Sequence, residues 1–126
     1  MISEQLSFLP DSLPDSHPFP PARERTVWNA LPQRVKDRFL KAGEAALAAT
    51  IAPLPLSLWL DFTHTGRRAA WEDAYFSRRA RLCALVCAEC VEHTGRFLGA
   101  IADTVWALCE ESAWQLPAHN SYIRDT

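Results

Sequence analysis

The longest uninterrupted helical pattern in the chain runs from residue 68 to residue 93, and it limits the fold more than any other stretch. Trp71, Tyr75, Leu82, Leu85, Val86 and Cys90 recur at helical offsets and line one broad apolar stripe. Glu72, Asp73, Arg79 and Glu92 lie mostly off it. Glu89 is the exception, because its offset from Leu85 and Val86 puts a carboxylate on the apolar stripe. A buried carboxylate needs a partner. Glu89 therefore either reaches water at the edge of the stripe or meets an arginine from a neighbouring helix. Gly95 is the natural stop, with His93 in the last turn where the helix dipole favours a cation.

The other segments read in the same period. Ala22 to Leu31 predicts one short helix with Val27, Trp28 and Leu31 on one side. Pro32 suits the first turn of a second helix that runs to about Thr50, with Val35, Phe39, Ala42 and Ala46 on its apolar face. Small side chains between Ala45 and Ala49 permit close approach of a neighbour. Prolines at 53 and 55 break the chain, and Ser57 is placed to cap a short turn from Leu58 to Thr63 that Gly66 ends. A last helix from about Arg96 to Ser112 buries Phe97, Ile101, Val105, Leu108 and Cys109. It closes on Glu110 and Glu111, two acids that oppose the macrodipole, a local conflict expected where function overrides local preference. No segment alternates with period two, so the fold class is all-α, with short connections that favour antiparallel helical hairpins. Several helices are apolar most of the way round, which asks for more partner helices than this chain encodes.

Composition narrows the classes of function. The chain has 126 residues, 48% hydrophobic and 22% charged, which is a globular balance and room for one domain. Net charge is −2 and the pI about 6.1, so no bulk charge recommends nucleic acid as a partner. Arg67, Arg68, Arg78, Arg79 and Arg81 cluster, either as a solvated helix face or as a cationic rim for acidic substrates. No apolar run has the length of about eighteen residues that a membrane span needs, and the N-terminus does not read as a signal peptide. A cytoplasmic location with reduced thiols is the expectation. Residues 1–22 carry five of the nine prolines and form an extended arm; residues 23–126 form the domain.

The cysteine spacing Cys83-x-x-x-Cys87-x-x-Cys90 matches that of some iron–sulfur sites, but within a helix it sets the sulfurs in a row along one face. Such thiols pack helix against helix. His17, His64, His93 and His119 form no i, i+4 pair with a nearby carboxylate, so neither a metal nor another cofactor is expected. Phe62 to Arg68 is a glycine-terminated turn with solvated arginines, or a loop beside a cleft. Trp114 to Asn120 differs in kind. Pro117 stiffens it, Trp114 can stack on a sugar face or plug the core, and His119 and Asn120 are short, directional hydrogen-bonding groups.

Four spaced blocks carry a resemblance: Phe62-Thr-x-Thr-Gly-x-Arg68, Tyr75-Phe-x-Arg-Arg79, Ala88-Glu-Cys-Val-Glu92 and Trp106-x-x-Cys-Glu-Glu-Ser-x-Trp114-x-Leu-Pro-Ala-His-Asn120. Together they resemble the N-terminal region of heparinase II/III-family proteins, which are polysaccharide lyases and their relatives. His64 departs from the pattern, which favours a basic residue there. The resemblance implies an incomplete (α/α) toroid followed by β-sheet domains. It also implies β-elimination of uronic-acid-containing polysaccharide, with an acidic polysaccharide or oligosaccharide as the partner. Trp114, His119 and Asn120 would then bind substrate. The Tyr and His that move protons would lie beyond Thr126, in a remainder of the toroid truncated here at its C-terminus. The chain alone is expected not to cleave polymer. A non-catalytic carbohydrate-binding or scaffold domain is the competing expectation.

Overall fold

A computed structural model of the chain describes residues 19–119. Among these residues are five α-helices and no strand: α1 (Arg25–Asn29), α2 (Gln33–Ala48), α3 (Leu56–Thr65), α4 (Ala69–Glu92) and α5 (Leu98–Cys109). A 3-10 turn at Pro117–His119 follows. The all-helical expectation holds. The expected arm falls largely outside the described residues, as does Asn120. No described helix is long and apolar enough to cross a membrane.

The helix α4 is the hub. It packs against α2 and α5 and also touches α1 and α3. Its buried positions are Trp71, Tyr75, Leu85, Ala88 and Glu89. Val86, expected on the stripe, is exposed. One step along a helix turns the face by about 100°, and the neighbours settle on the Leu85–Ala88–Glu89 side. The same offset moves the face of α5. Phe97, Ala100 and Thr104 are buried, Ile101 and Leu108 are half-buried, and Val105 and Cys109 face outward. Leu85, Ala88, Phe97 and Ala100 form the central apolar cluster, with Ala46 and Ile101 packed on it.

Close approach between α2 and α4 is tightest at Gly43, and Ala46 of the Ala45–Ala49 run also packs on the cluster. Gly43 is the one buried residue of α2. A Cβ there would overlap Ala88 Cβ, and it would lie 3.3 Å from the Phe97 ring and 3.4 Å from the Ala84 carbonyl. Hydrogen on that Cα lets the backbone sit where a methyl would not fit.

None of the five helices carries a side-chain N-cap bond. Ser57 is no cap, because α3 starts at Leu56, immediately after Pro55. Charged side chains from other elements tie several helix ends instead. Arg81 of α4 donates to the carbonyls of Ala46 and Ala49 at the end of α2. Arg25 of α1 donates to the Cys90 and Val91 carbonyls at the end of α4, at 2.7 and 3.0 Å. These are the free carbonyls and the negative dipole end where a guanidinium is favoured.

Glu89 does the converse. Its two carboxylate oxygens accept the amides of Gly95 at 2.7 Å and Phe97 at 3.1 Å. The buried carboxylate is held by the turn that opens α5, at the positive end of that helix, and not by an arginine. His93 takes the left-handed conformation that stops α4, at φ 58°, and Gly95 supplies a second left-handed position at φ 83°. The expected stop at Gly95 is thus two residues late, because α4 must end early enough for the chain to fold back over Glu89.

The contrast between two helical glycines tests this packing. Gly43→Ala gains about 1 kcal/mol of helix propensity but overpacks the contact, for a net loss of about 1–2 kcal/mol. Gly99 has open space where a Cβ would go, and Gly99→Ala raises stability by about 0.5–1 kcal/mol. Urea midpoints of the two variants are expected to move in opposite directions. A Gly43→Ala midpoint at or above that of the parent would refute the close contact.

Candidate functional site

Tyr75, Arg78 and Arg79 of α4 meet Glu111 and the Trp114 carbonyl where the Tyr75 and Trp106 blocks come together. Glu111, just past α5, has a side chain only 2% exposed. Arg79 holds it through both nitrogens, Nη1 to Oε1 at 3.2 Å and Nη2 to Oε2 at 2.7 Å. Arg78 Nη1 adds a third contact to Oε1 at 3.3 Å. A carboxylate this buried is tolerated because planar guanidinium forks replace its water. The macrodipole conflict read at Glu110–Glu111 has its explanation here, since two arginines outweigh the end of one helix.

The arginines have further partners. Arg78 also donates to the Ala52 carbonyl at 2.7 Å and the Ala107 carbonyl at 3.1 Å. That draws the proline-broken segment before α3 onto the end of α5. The Arg79 guanidinium lies 3.2 Å from the centroid of the Tyr75 ring and donates to the Tyr75 carbonyl. The Tyr75 hydroxyl donates to the Trp114 carbonyl at 3.3 Å. Arg78, Arg79 and Arg81 therefore form neither a solvated face nor a free rim. Only Arg67 and Arg68 match the solvated reading; they are exposed and pair loosely with Asp61 and Glu72 at 3.5 Å.

Beside this cluster opens a cavity of about 440 Å³. Trp59 and Leu56 of α3, Trp71 and Arg78 of α4, and Glu110 to Ala113 contribute to its lining. Trp59 and Trp71 meet edge to face with centroids 5.0 Å apart, a favoured aromatic geometry. Trp71 buries its Nε1–H with no partner among the described residues. Glu110 is turned outward and accepts the Trp106 indole N–H at 2.8 Å.

Neither Trp114 nor His119 lines this cavity, and Asn120 lies outside the described residues. Trp114 is 66% exposed, so it does not plug the core. His119 is exposed at the end of the 3-10 turn, which packs on α3. Pro117 is fully buried and anchors that turn. Sequence reasoning missed Trp59, Trp71 and Glu111 as site residues. The usable signal was the pair of acids in a last turn, which called for a cation elsewhere in the chain.

The three cysteines of α4 lie within continuous helix, and all four cysteines are free thiols. The described residues contain no group of three or more His, Cys, Asp or Glu able to hold a metal ion. Burial pushes the Cys87 thiol up, with smaller contributions from Cys90 and Cys83. Burial also raises Cys90, against the opposing pull of Arg25. No known family model matches the sequence, and no curated protein matches it.

Two outcomes are expected. Glu111→Ala strands two largely buried guanidiniums and lowers stability by roughly 3–5 kcal/mol, whereas Glu110→Ala stays within about 0.5 kcal/mol; chemical unfolding of both variants checks this. Alkylation near neutral pH is expected to label exposed Cys83 and Cys109 before Cys87 and Cys90, since the thiolate is the nucleophile. A raised thiol pKa means the folded state holds the proton more tightly. That contribution to stability is complete below the ordinary thiol pKa and is lost as pH climbs through the raised one.

Proposed function

We propose that the chain supplies one wall of a carbohydrate cleft in a polysaccharide lyase-like protein, as helical hairpins of an incomplete (α/α) toroid. The observation that carries this reading is convergence. Blocks far apart in sequence meet at one end of the bundle, where Tyr75 holds the Trp114 carbonyl and Arg78 and Arg79 hold Glu111. They meet beside a cavity walled by two indoles, next to a third indole, Trp114, left open to solvent. Indole faces suit the C–H face of a sugar ring. The Trp71 N–H, which has no partner among the described residues, is a donor that a sugar oxygen can satisfy after a small shift.

In this reading the chain binds and positions, while other helices of the toroid bring the groups that move protons. Tyr75 is unsuited to that role, because its hydroxyl is committed to the Trp114 carbonyl. The competing reading is a non-catalytic helical scaffold. It draws on the exposed apolar side chains of α5, Leu98, Val105 and Trp106, which a neighbouring helix would cover.

Titration with a uronate oligosaccharide, followed by amide and indole N–H resonances, separates the two. The cleft reading expects shifts at Trp59, Trp71 and residues 112–119, and about tenfold weaker binding in a folded Trp114→Ala variant, or ~1.4 kcal/mol. It also expects no unsaturated uronate product from the 126-residue chain alone. Ligand shifts absent from this region, or Trp114→Ala binding as tightly as the parent, would favour the scaffold.

A further inference from the structure

A second depression, about 640 Å³ in volume, opens between α2 and α4 and shares no lining residue with the candidate cleft. Its floor is apolar, built from Val35, Phe39 and Ala42 of α2 and Ala84 of α4. Arg34 and Arg38 stand on its rim, and Lys41 extends that row along the outer face of α2. All three are exposed, and none forms an ion pair with another described residue. Asp37 also borders the row, but its carboxylate accepts the Gln33 amide at 2.7 Å. Arg34 and Lys41 are seven residues apart, two turns or about 10 Å along the helix. An apolar trough with a basic edge calls for an occupant with an apolar face and an acidic edge.

The chain presents such a face on α5. Leu98, Ala102, Val105 and Cys109 are exposed and follow one another at helical offsets, as one apolar stripe. Trp106 lies beside it, 68% exposed. Asp103 and Glu110 form the edge next to Trp106; they too are exposed and seven residues apart. From Leu98 to Glu110 there is no lysine or arginine. The basic row and the acidic edge thus have the same length, and each runs beside an apolar stripe. The Trp106 indole donates to Glu110 at 2.8 Å, which holds its ring at that edge.

This helix cannot fill its own trough. Ala100 and Thr104, on its opposite side, are buried. Thr104 accepts the Arg81 guanidinium of α4 at 3.1 Å, and Ala100 packs with Leu85 and Ala88. The stripe therefore points away from α4, whereas the trough lies between α4 and α2. We propose that a second copy of this chain supplies the occupant. The helix α5 of one copy lies in the α2–α4 trough of the next, with Asp103 and Glu110 along the Arg34–Lys41 row and the Trp106 ring against the Arg38 guanidinium. The two faces are different surfaces of the molecule, so the contact is head-to-tail and each copy keeps one face for a further copy. The indoles of the candidate cleft take no part, so the pairing does not rest on the cleft reading.

Sedimentation velocity of the full chain over a concentration series tests this. The weight-average mass is expected to rise above the 14.2 kDa of one chain and to fall back in high salt. Two charge-reversed variants locate the contact: Arg34→Glu with Arg38→Glu, and Asp103→Lys with Glu110→Lys. Each alone should associate about tenfold more weakly, because its own two faces then carry like charge. All four positions are exposed, and the circular dichroism of both variants should match that of the parent. An equimolar mixture should recover the parent's association, since the altered faces complement each other and so do the unaltered ones. A parent that keeps the mass of one chain at every concentration would overturn the proposal. So would association that persists in either variant alone, or a mixture of folded variants that fails to recover it.

Discussion

A single buried carboxylate organises the end of the molecule where the candidate site lies. Glu111 sits almost wholly out of water against Arg78 and Arg79. Burying three ionised groups is tolerable only when each finds several partners. Arg78 reaches the segment before α3 as well as the end of α5, and Arg79 lies on Tyr75, which in turn holds the loop at Trp114. Four stretches of chain are therefore fixed relative to one another by one charge cluster. The cavity walled by Trp59 and Trp71 exists because those stretches are held apart at set positions.

The same device recurs throughout the fold. Helix ends that lack local caps are tied by charged groups from elsewhere: Arg81 at the end of α2, Arg25 at the end of α4, and Glu89 at the start of α5. This suits a bundle whose fully buried apolar cluster is small. Where dispersion and burial are limited, charge-assisted hydrogen bonds of defined direction set the register between helices. Gly43 complements them, because its missing side chain brings α2 within reach of Arg81.

Helical period was legible in the sequence, and so were the existence of α2, α4 and α5 and the stop at Gly66. The exact faces were not. Val86 and Val105 satisfy a helical stripe as well as Ala88 and Thr104 do, and only the position of the neighbouring helix chooses between them. Charged residues were the least legible. Glu89 had an apolar-face address but no visible partner, because its partners are backbone amides six and eight residues on. Arg78, Arg79 and Arg81 resemble solvated charges until acceptors 23 to 35 residues away are known. Of the site, the Trp114–His119 loop was singled out from its composition, whereas Trp59 and Trp71 read as ordinary core aromatics.

If Glu111 is what seats the loop, loosening it should be felt there first. Backbone relaxation measured by NMR on a Glu111→Gln variant, with Glu110→Gln as its matched control, tests this most directly. Glutamine keeps the shape and removes the charge. The account predicts lowered order parameters confined to residues 112–119 and the segment before α3, with α2 and the Gly43–Ala88 contact unaffected and the control unchanged. Unaltered order in residues 112–119 of a folded Glu111→Gln protein would contradict it.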